Sequence, residues 1–260
     1  MIEEIIKKLI AALTALVILL GQTPTEQLIL GVSGTTIRDS TTNAAASGTA
    51  LSVAAPTGTT TGDVVIVVVS VNNTGLSIAD NNGSTPFTED MNDYFPSAGI
   101  GYLSIFSRRI QAGDPSTYNF TAGGSARWTV HAITFQNPHA SVIYDVNPTG
   151  GNFRDNTTTN TGTSVGITTV NADAIHFAIF QGDGTGTTIT GTPSGYTVPE
   201  NSGNQVTAVA YKVIASPGAT GAQTFTLSVN EAYLAASFAI RDIGAVSAVP
   251  PPIPQVIIIN

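Results

Sequence analysis

Apolar residues along this chain gather in short runs separated by Gly, Asn, Thr and Pro, and the runs form two sets in the same order. Gly62 to Ser70, with its unbroken Val64-Val65-Ile66-Val67-Val68-Val69, returns as Ala172 to Phe180. Pro86-Phe87-Thr88 answers to Gly195-Tyr196-Thr197, and Tyr102 to Ile110 matches Ala208 to Ile214. Ser116 to Thr121 matches Gln223 to Ser228, and Trp128 to Phe135 matches Tyr233 to Ile240. Alternation in Phe225, Leu227 and Val229, and in Trp128, Val130 and Ala132, predicts strands with one buried face. Val64 to Val69 is apolar at both parities, which predicts a central strand or one sandwiched between layers. Turn-forming stretches such as Gln111-Ala112-Gly113-Asp114-Pro115 and Asp183-Gly184-Thr185-Gly186 divide the runs, and no helical period follows Gly21. The pattern predicts an all-β fold: a jelly-roll-like antiparallel β-sandwich over residues 48–243, built by internal duplication with halves 48–137 and 162–243.

The two ends read differently. Residues 1–21 predict a single hydrophobic α-helix, with Glu3 and Glu4 in its first turn and Lys7 and Lys8 a turn later, as the helix dipole favours. From Leu9 to Leu20 only Thr14 is polar, so the helix needs a partner that is apolar on every side. Packing with copies of itself, through Leu9, Leu13, Leu16, Val17 and Leu20, is one such partner. A membrane is another, since about 18 helical residues span roughly 28 Å against a hydrocarbon core of about 30 Å. A cleaved signal is the third, although Leu19-Leu20-Gly21-Gln22 lacks a small-x-small site. Residues 22–47 read as a linker or first strand. Residues 244–260 hold a proline spacer, Pro250-Pro251-Pro252-Ile253-Pro254, then Val256, Ile257, Ile258 and Ile259. That β-branched run predicts an edge strand, folded back on its own sheet or donated to another copy.

Composition narrows the function. Only 10% of residues are charged against 42% hydrophobic, so solubility rests on hydroxyls and amides, as in exported β-rich surface proteins. A net charge of -8 with nine scattered Lys and Arg argues against nucleic acid as a partner. No cysteine is present, which removes disulfides and thiolate chemistry.

Candidate chemistry is sparse. His131 and His176 fall inside predicted strands and His139 in the loop between halves; strand histidines of this kind are expected on polar faces or as satisfied core residues. Gly182 to Gly186 resembles a phosphate loop only superficially, because no helix follows it. The acidic loops Asp80 to Ser84 and Glu89 to Asp93 offer oxygen ligands without a calcium-loop spacing, so Asx turns are expected and no cofactor or metal is assigned. Asn72, Asn82 and Asn156 head Asn-x-Ser/Thr sequons in predicted loops and are the candidate glycosylation positions. Tyr94, Phe95, Tyr144, Phe153 and Tyr196 either stack on sugars or plug the ends of the sandwich.

Gly62-Asp63 with its valine-rich strand, the short Pro/Gly-aromatic-Thr element, Arg108-Arg109-Ile110, Gly113-Asp114-Pro115 and Ala132-Ile133-Thr134-Phe135 together resemble a duplicated Thr/Gly-rich β-sandwich module. Such modules occur in bacteriophage tail and virion proteins and in microbial cell-surface proteins. The module's Gly-Trp dipeptide is replaced here by Pro86-Phe87 and Gly195-Tyr196. The resemblance implies a non-enzymatic role at a cell or virion surface and transfers no catalytic residue. The expectation is a structural subunit that assembles with copies of itself; the alternative is a membrane-anchored adhesin that binds glycans.

Overall fold

The computed structural model of the protein describes residues 34–72, 77–94, 101–154, 160–182, 187–202 and 207–243. The predicted N-terminal helix and the C-terminal spacer and strand lie outside the described residues. Within them the fold is all-β with antiparallel, sandwich-like sheets and no helix. The first half supplies β1 (Thr36–Ala45), β2 (Ala50–Ala54), β3 (Val64–Asn72), β4 (Ile78–Asp80), β5 (Thr88–Tyr94), β6 (Tyr102–Arg109), β7 (Thr117–Ala122) and β8 (Arg127–Gln136). The second supplies β9 (Tyr144–Arg154), β10 (Thr161–Thr163), β11 (Thr168–Thr169), β12 (Ala174–Gly182), β13 (Ile189–Gly191) and β14 (Thr197–Ser202). It continues with β15 (Thr207–Ile214), β16 (Gly218–Ala219), β17 (Thr224–Leu227) and β18 (Tyr233–Ile240).

Each half builds its own sheets in the same order. A five-stranded sheet β1-β8-β3-β6-β5 and a three-stranded sheet β2-β7-β4 in the first half are matched by β9-β18-β12-β15-β14 and β10-β17-β13 in the second. β11 and β16 form an extra two-stranded pair with no counterpart among the described residues of the first half. β1 and β9, which the repeated runs did not include, complete the large sheets as edge strands beside β8 and β18.

Cross-strand partners fix which residues correspond. Val64 pairs with Phe135 and Ile175 with Ile240, so Val64 corresponds to Ile175, one residue along from the match of the apolar runs. Leu51 pairs with Phe120 and Gly162 with Phe225, which makes Leu51 correspond to Gly162 and Tyr118 to Gln223.

The large sheets pack face to face through one shared core. Val64, Ile66 and Val68 of β3 and Ile133 and Phe135 of β8 meet Ile175, Phe177 and Ile179 of β12 and Leu234, Phe238 and Ile240 of β18. Phe177 lies at the centre, stacked on Phe238 at 4.7 Å and edge-on to Phe135 at 5.6 Å. The other faces carry the small sheets: Val65, Val67 and Val69 pack with Leu51, Tyr118 and Phe120, while Ala178 and Phe180 pack with Phe225 and Leu227. The layers therefore run three, five, five and three strands. β3 and β12 are buried on both faces because they sit in the inner layers, and this is why their sequences carry apolar residues at both parities.

The outer cores solve the same packing problem with exchanged volumes. Leu51 and Val69 in the first half correspond to Gly162 and Phe180 in the second. A Cβ on Gly162 would run into the Phe180 ring, so the large side chain has moved from one strand to its neighbour across the core.

Candidate functional site

The chain enters and leaves this body at one end, called here the proximal pole. The Thr35 amide donates to Asp242 Oδ1 at 2.5 Å, and the Thr35 hydroxyl donates to the carbonyls of Asn137 at 2.9 Å and Arg241 at 3.2 Å. The start of β1, the end of β8 and the end of β18 are thereby tied together. Thr35 is 4% exposed and Asp242 6%, so this knot is shielded from water. Toward the other end, the two halves are joined by Ser70 and Thr207, whose hydroxyls lie 2.5 Å apart, and by the Gln181 amide donating to the Val71 carbonyl at 3.4 Å.

Ionisable groups near the proximal pole are spent on structure. Arg108 donates to Asp114 through Nε at 2.9 Å and Nη2 at 2.5 Å, and its guanidinium lies 5.9 Å from the Phe87 ring centroid. Arg38 holds Asp63 by a second two-point pair, 2.9 and 3.2 Å. Tyr144 donates to Asp90 at 2.7 Å across the halves; burial raises the pKa of both, and the nearby carboxylate raises the phenol further.

Both strand histidines are fully buried. His131 faces the shared core with Nδ1 2.8 Å from the Thr42 hydroxyl, and burial holds its pKa down to about 3. His176 lies on the outer face of β12 with Nδ1 2.6 Å from the Tyr196 hydroxyl, and burial lowers its pKa to about 4. Each Nε2 is buried without a hydrogen-bond partner, so the expectation of satisfied core histidines holds for one nitrogen of each ring.

The remaining sequence candidates divide cleanly. Leu9, Leu13, Leu16, Val17, Leu20, Val256, Ile257, Ile258, Ile259 and Asn156 lie outside the described residues, as do the side chains of Tyr94 and Phe153 and the whole of Phe95. Asn72 ends β3. Asn82 forms an Asx turn with Asp80 and reaches the backbone of Asn119, donating to its carbonyl and accepting from its amide at 2.9 Å each. The Asp80 carboxylate also takes the Phe87 amide at 2.7 Å, so this acidic loop is a folded turn. Among the described residues no three His, Cys, Asp or Glu converge as a metal-binding group, and no helix is long and apolar enough to cross a membrane. Tyr144 and Tyr196 are half-buried, and their hydroxyls are bonded to Asp90 and His176.

A cleft of about 630 Å³ that sequence reasoning missed opens at the proximal pole of the first half, between residues 55–61 and 110–118. Its origin lies in two prolines. In the second half the Thr220 amide donates to the Ile167 carbonyl at 2.8 Å and the Ile167 amide to the Thr220 hydroxyl at 3.1 Å, and β11 pairs with β16 beside them. The corresponding residues of the first half are Pro56 and Pro115, which have no N–H to donate, and past the Ala55 amide's bond to the Ser116 carbonyl the loops open around the cleft. At Gln223 the second half has an amide that donates to the carbonyls of Thr220 and Gly221, closing the turn. The first half has Tyr118 there, 1% exposed and lining the cleft. The chain matches no protein-family model, no curated protein and no solved structure.

Proposed function

We propose that the protein is a non-enzymatic structural subunit of an extracellular filament, appendage or virion surface, assembling with copies of itself. Leu9, Leu13, Leu16, Val17 and Leu20 supply the helix contact, and Val256 to Ile259 supply a strand for exchange. The observation that supports this reading is the knot of Thr35, Asn137, Arg241 and Asp242, which ties the first and last described strands together at one pole of the layered body. A helix and a donated strand leaving the same pole act on the same neighbouring subunit, and the rest of the surface is left free to face solvent. Each half is read as a jelly-roll derivative: the orders β1-β8-β3-β6 over β2-β7-β4 follow two interlocked Greek keys, with β5 paired to β6 in the larger sheet. The low charge and the resemblance to virion and cell-surface modules support the extracellular placement.

Electron microscopy of the full chain beside a variant lacking residues 1–21 tests this reading. Ordered polymers or rings that vanish on truncation are expected. Polymers that survive truncation, or a full chain that is monomeric only in detergent, would overturn helix-driven assembly, the second outcome in favour of a membrane anchor.

A further inference from the structure

We infer that the cleft between residues 55–61 and 110–118 is a binding site for a neutral hexose-based glycan, carried by the first copy and closed in the second. This goes beyond the assembly reading and does not depend on it. At about 630 Å³ the cleft has the size of small-ligand sites. The chemistry of its wall decides the class. Thr57, Thr61, Gln111 and Ser116 line it as exposed residues; the Thr57 side chain is bonded to Asp39, while the side chains of Thr61, Gln111 and Ser116 make no hydrogen bond among the described residues. The Tyr118 ring is buried against Phe87 at 5.1 Å, which leaves its hydroxyl as the part that meets the cleft, also without a partner among the described residues. Burial, helped by the Asp114 charge, pushes that phenol to about 12, so it is a permanent donor as well as an acceptor.

No free cation lines the cleft, which disfavours anionic ligands: Asp114 is the charged residue there, and Arg108 neutralises it at two points. Hydroxyls and an amide around a concave wall, with the exposed Pro115 ring offering apolar surface, match the alternating C–H and O–H faces of an uncharged sugar. The second copy shows that the fold does not require the opening. There the ladder of Thr168 with Ala219 and Thr169 with Gly218, and the bridge of Ile167 with Thr220, fill the same region.

Saturation-transfer NMR of the full chain with cellotriose and with maltotriose, separately, reads binding even in a large assembly. Transfer to at least one of these sugars is expected. Tyr118→Phe should weaken that binding about fivefold through loss of one hydrogen bond, while circular dichroism stays unchanged. Pro56→Ile with Pro115→Thr, which installs the second copy's bridge, should abolish it, and Lys212→Ala at the opposite copy should leave it intact. Absence of transfer from both sugars to the wild-type chain would overturn the inference. Transfer that persists in Tyr118→Phe at full strength would overturn it too, whether or not the double proline variant folds.

Discussion

The two halves share a strand order yet treat their proximal poles in opposite ways. In the first, Arg108 is clamped by Asp114 under Phe87, and Pro56 and Pro115 hold two loops apart. In the second, Lys212 occupies the place of Arg108 and Tyr196 that of Phe87, still with a cation 5.7 Å from the ring centroid, but Lys212 is exposed and has no acidic partner among the described residues. His176 stands where the first half has Val65, and the loops are laced by β11 and β16. The duplicated strands tolerate this divergence because the poles lie outside the shared core, whereas the inner faces, Val64 with Ile175 and Ile66 with Phe177, remain apolar in both. Packing constrains the middle, and the ends are free to specialise.

The sharpest way to break this contrast is to cut corresponding ion contacts. Asp114→Ala should cost about 3–5 kcal/mol in urea unfolding, because it strands a buried guanidinium. Lys212→Ala should cost no more than about 0.5 kcal/mol, as for an exposed side chain. Equal effects would mean that the poles do not differ as described.

Acid should act next. Burial keeps His131 and His176 neutral in the fold, with pKa values of about 3 and about 4 against 6.5 for an accessible imidazole. Below pH 6.5 the unfolded chain binds these protons and the folded chain does not, so stability is complete above that pH and is lost as the pH falls toward 4. The slope should approach about 1.4 kcal/mol per pH unit for each imidazole. Asp90, raised by burial, has the opposite sign: its contribution is present at low pH and lost as pH rises through its folded pKa. Giving the second copy the first copy's pair, His176→Val with Tyr196→Phe, should remove about half of the histidine slope in thermal melts taken between pH 6.5 and 5. An unchanged slope would show that His176 is not held neutral.

The smallest effect sharpens the exchanged volumes. Gly162→Leu alone should cost about 1–3 kcal/mol by forcing the Phe180 ring out of place. Adding Phe180→Val, which recreates the Leu51 and Val69 pair, should recover more than half of that cost in a double-mutant cycle. Additive losses would contradict the correspondence of these positions.

Much of the layered body is legible in the residues, and the limits have physical causes. Val64 to Val69 announces an inner strand because both parities are apolar, but the same feature removes the period that would fix its register, and the match with the second copy slips by one residue. Between Tyr118 and Phe225 the slip is two residues, which preserves the inward face and so leaves no mark in the hydrophobic pattern. β1 is left open between linker and first strand because Thr36 to Ala45 is mostly polar and half-buried, and β9 escapes notice because Tyr144 to Arg154 is broken by Pro148, Gly150, Gly151 and bulges. The cleft is hidden for a related reason: Pro56 and Pro115 are ordinary loop prolines until the register sets them opposite Ile167 and Thr220. The histidines are visible as strand residues, but which layer each faces depends on that same register.

The two copies stand or fall together because their large sheets share one core around Phe177. Hydrogen exchange measured on the wild-type chain and on Phe177→Ala tests it most directly. The amides of β3 in the first copy and β12 in the second should show the same protection free energy, and the substitution should lower both by the same amount, about 3–5 kcal/mol. Protection in β3 that is untouched while β12 opens would instead mean two independent sandwiches.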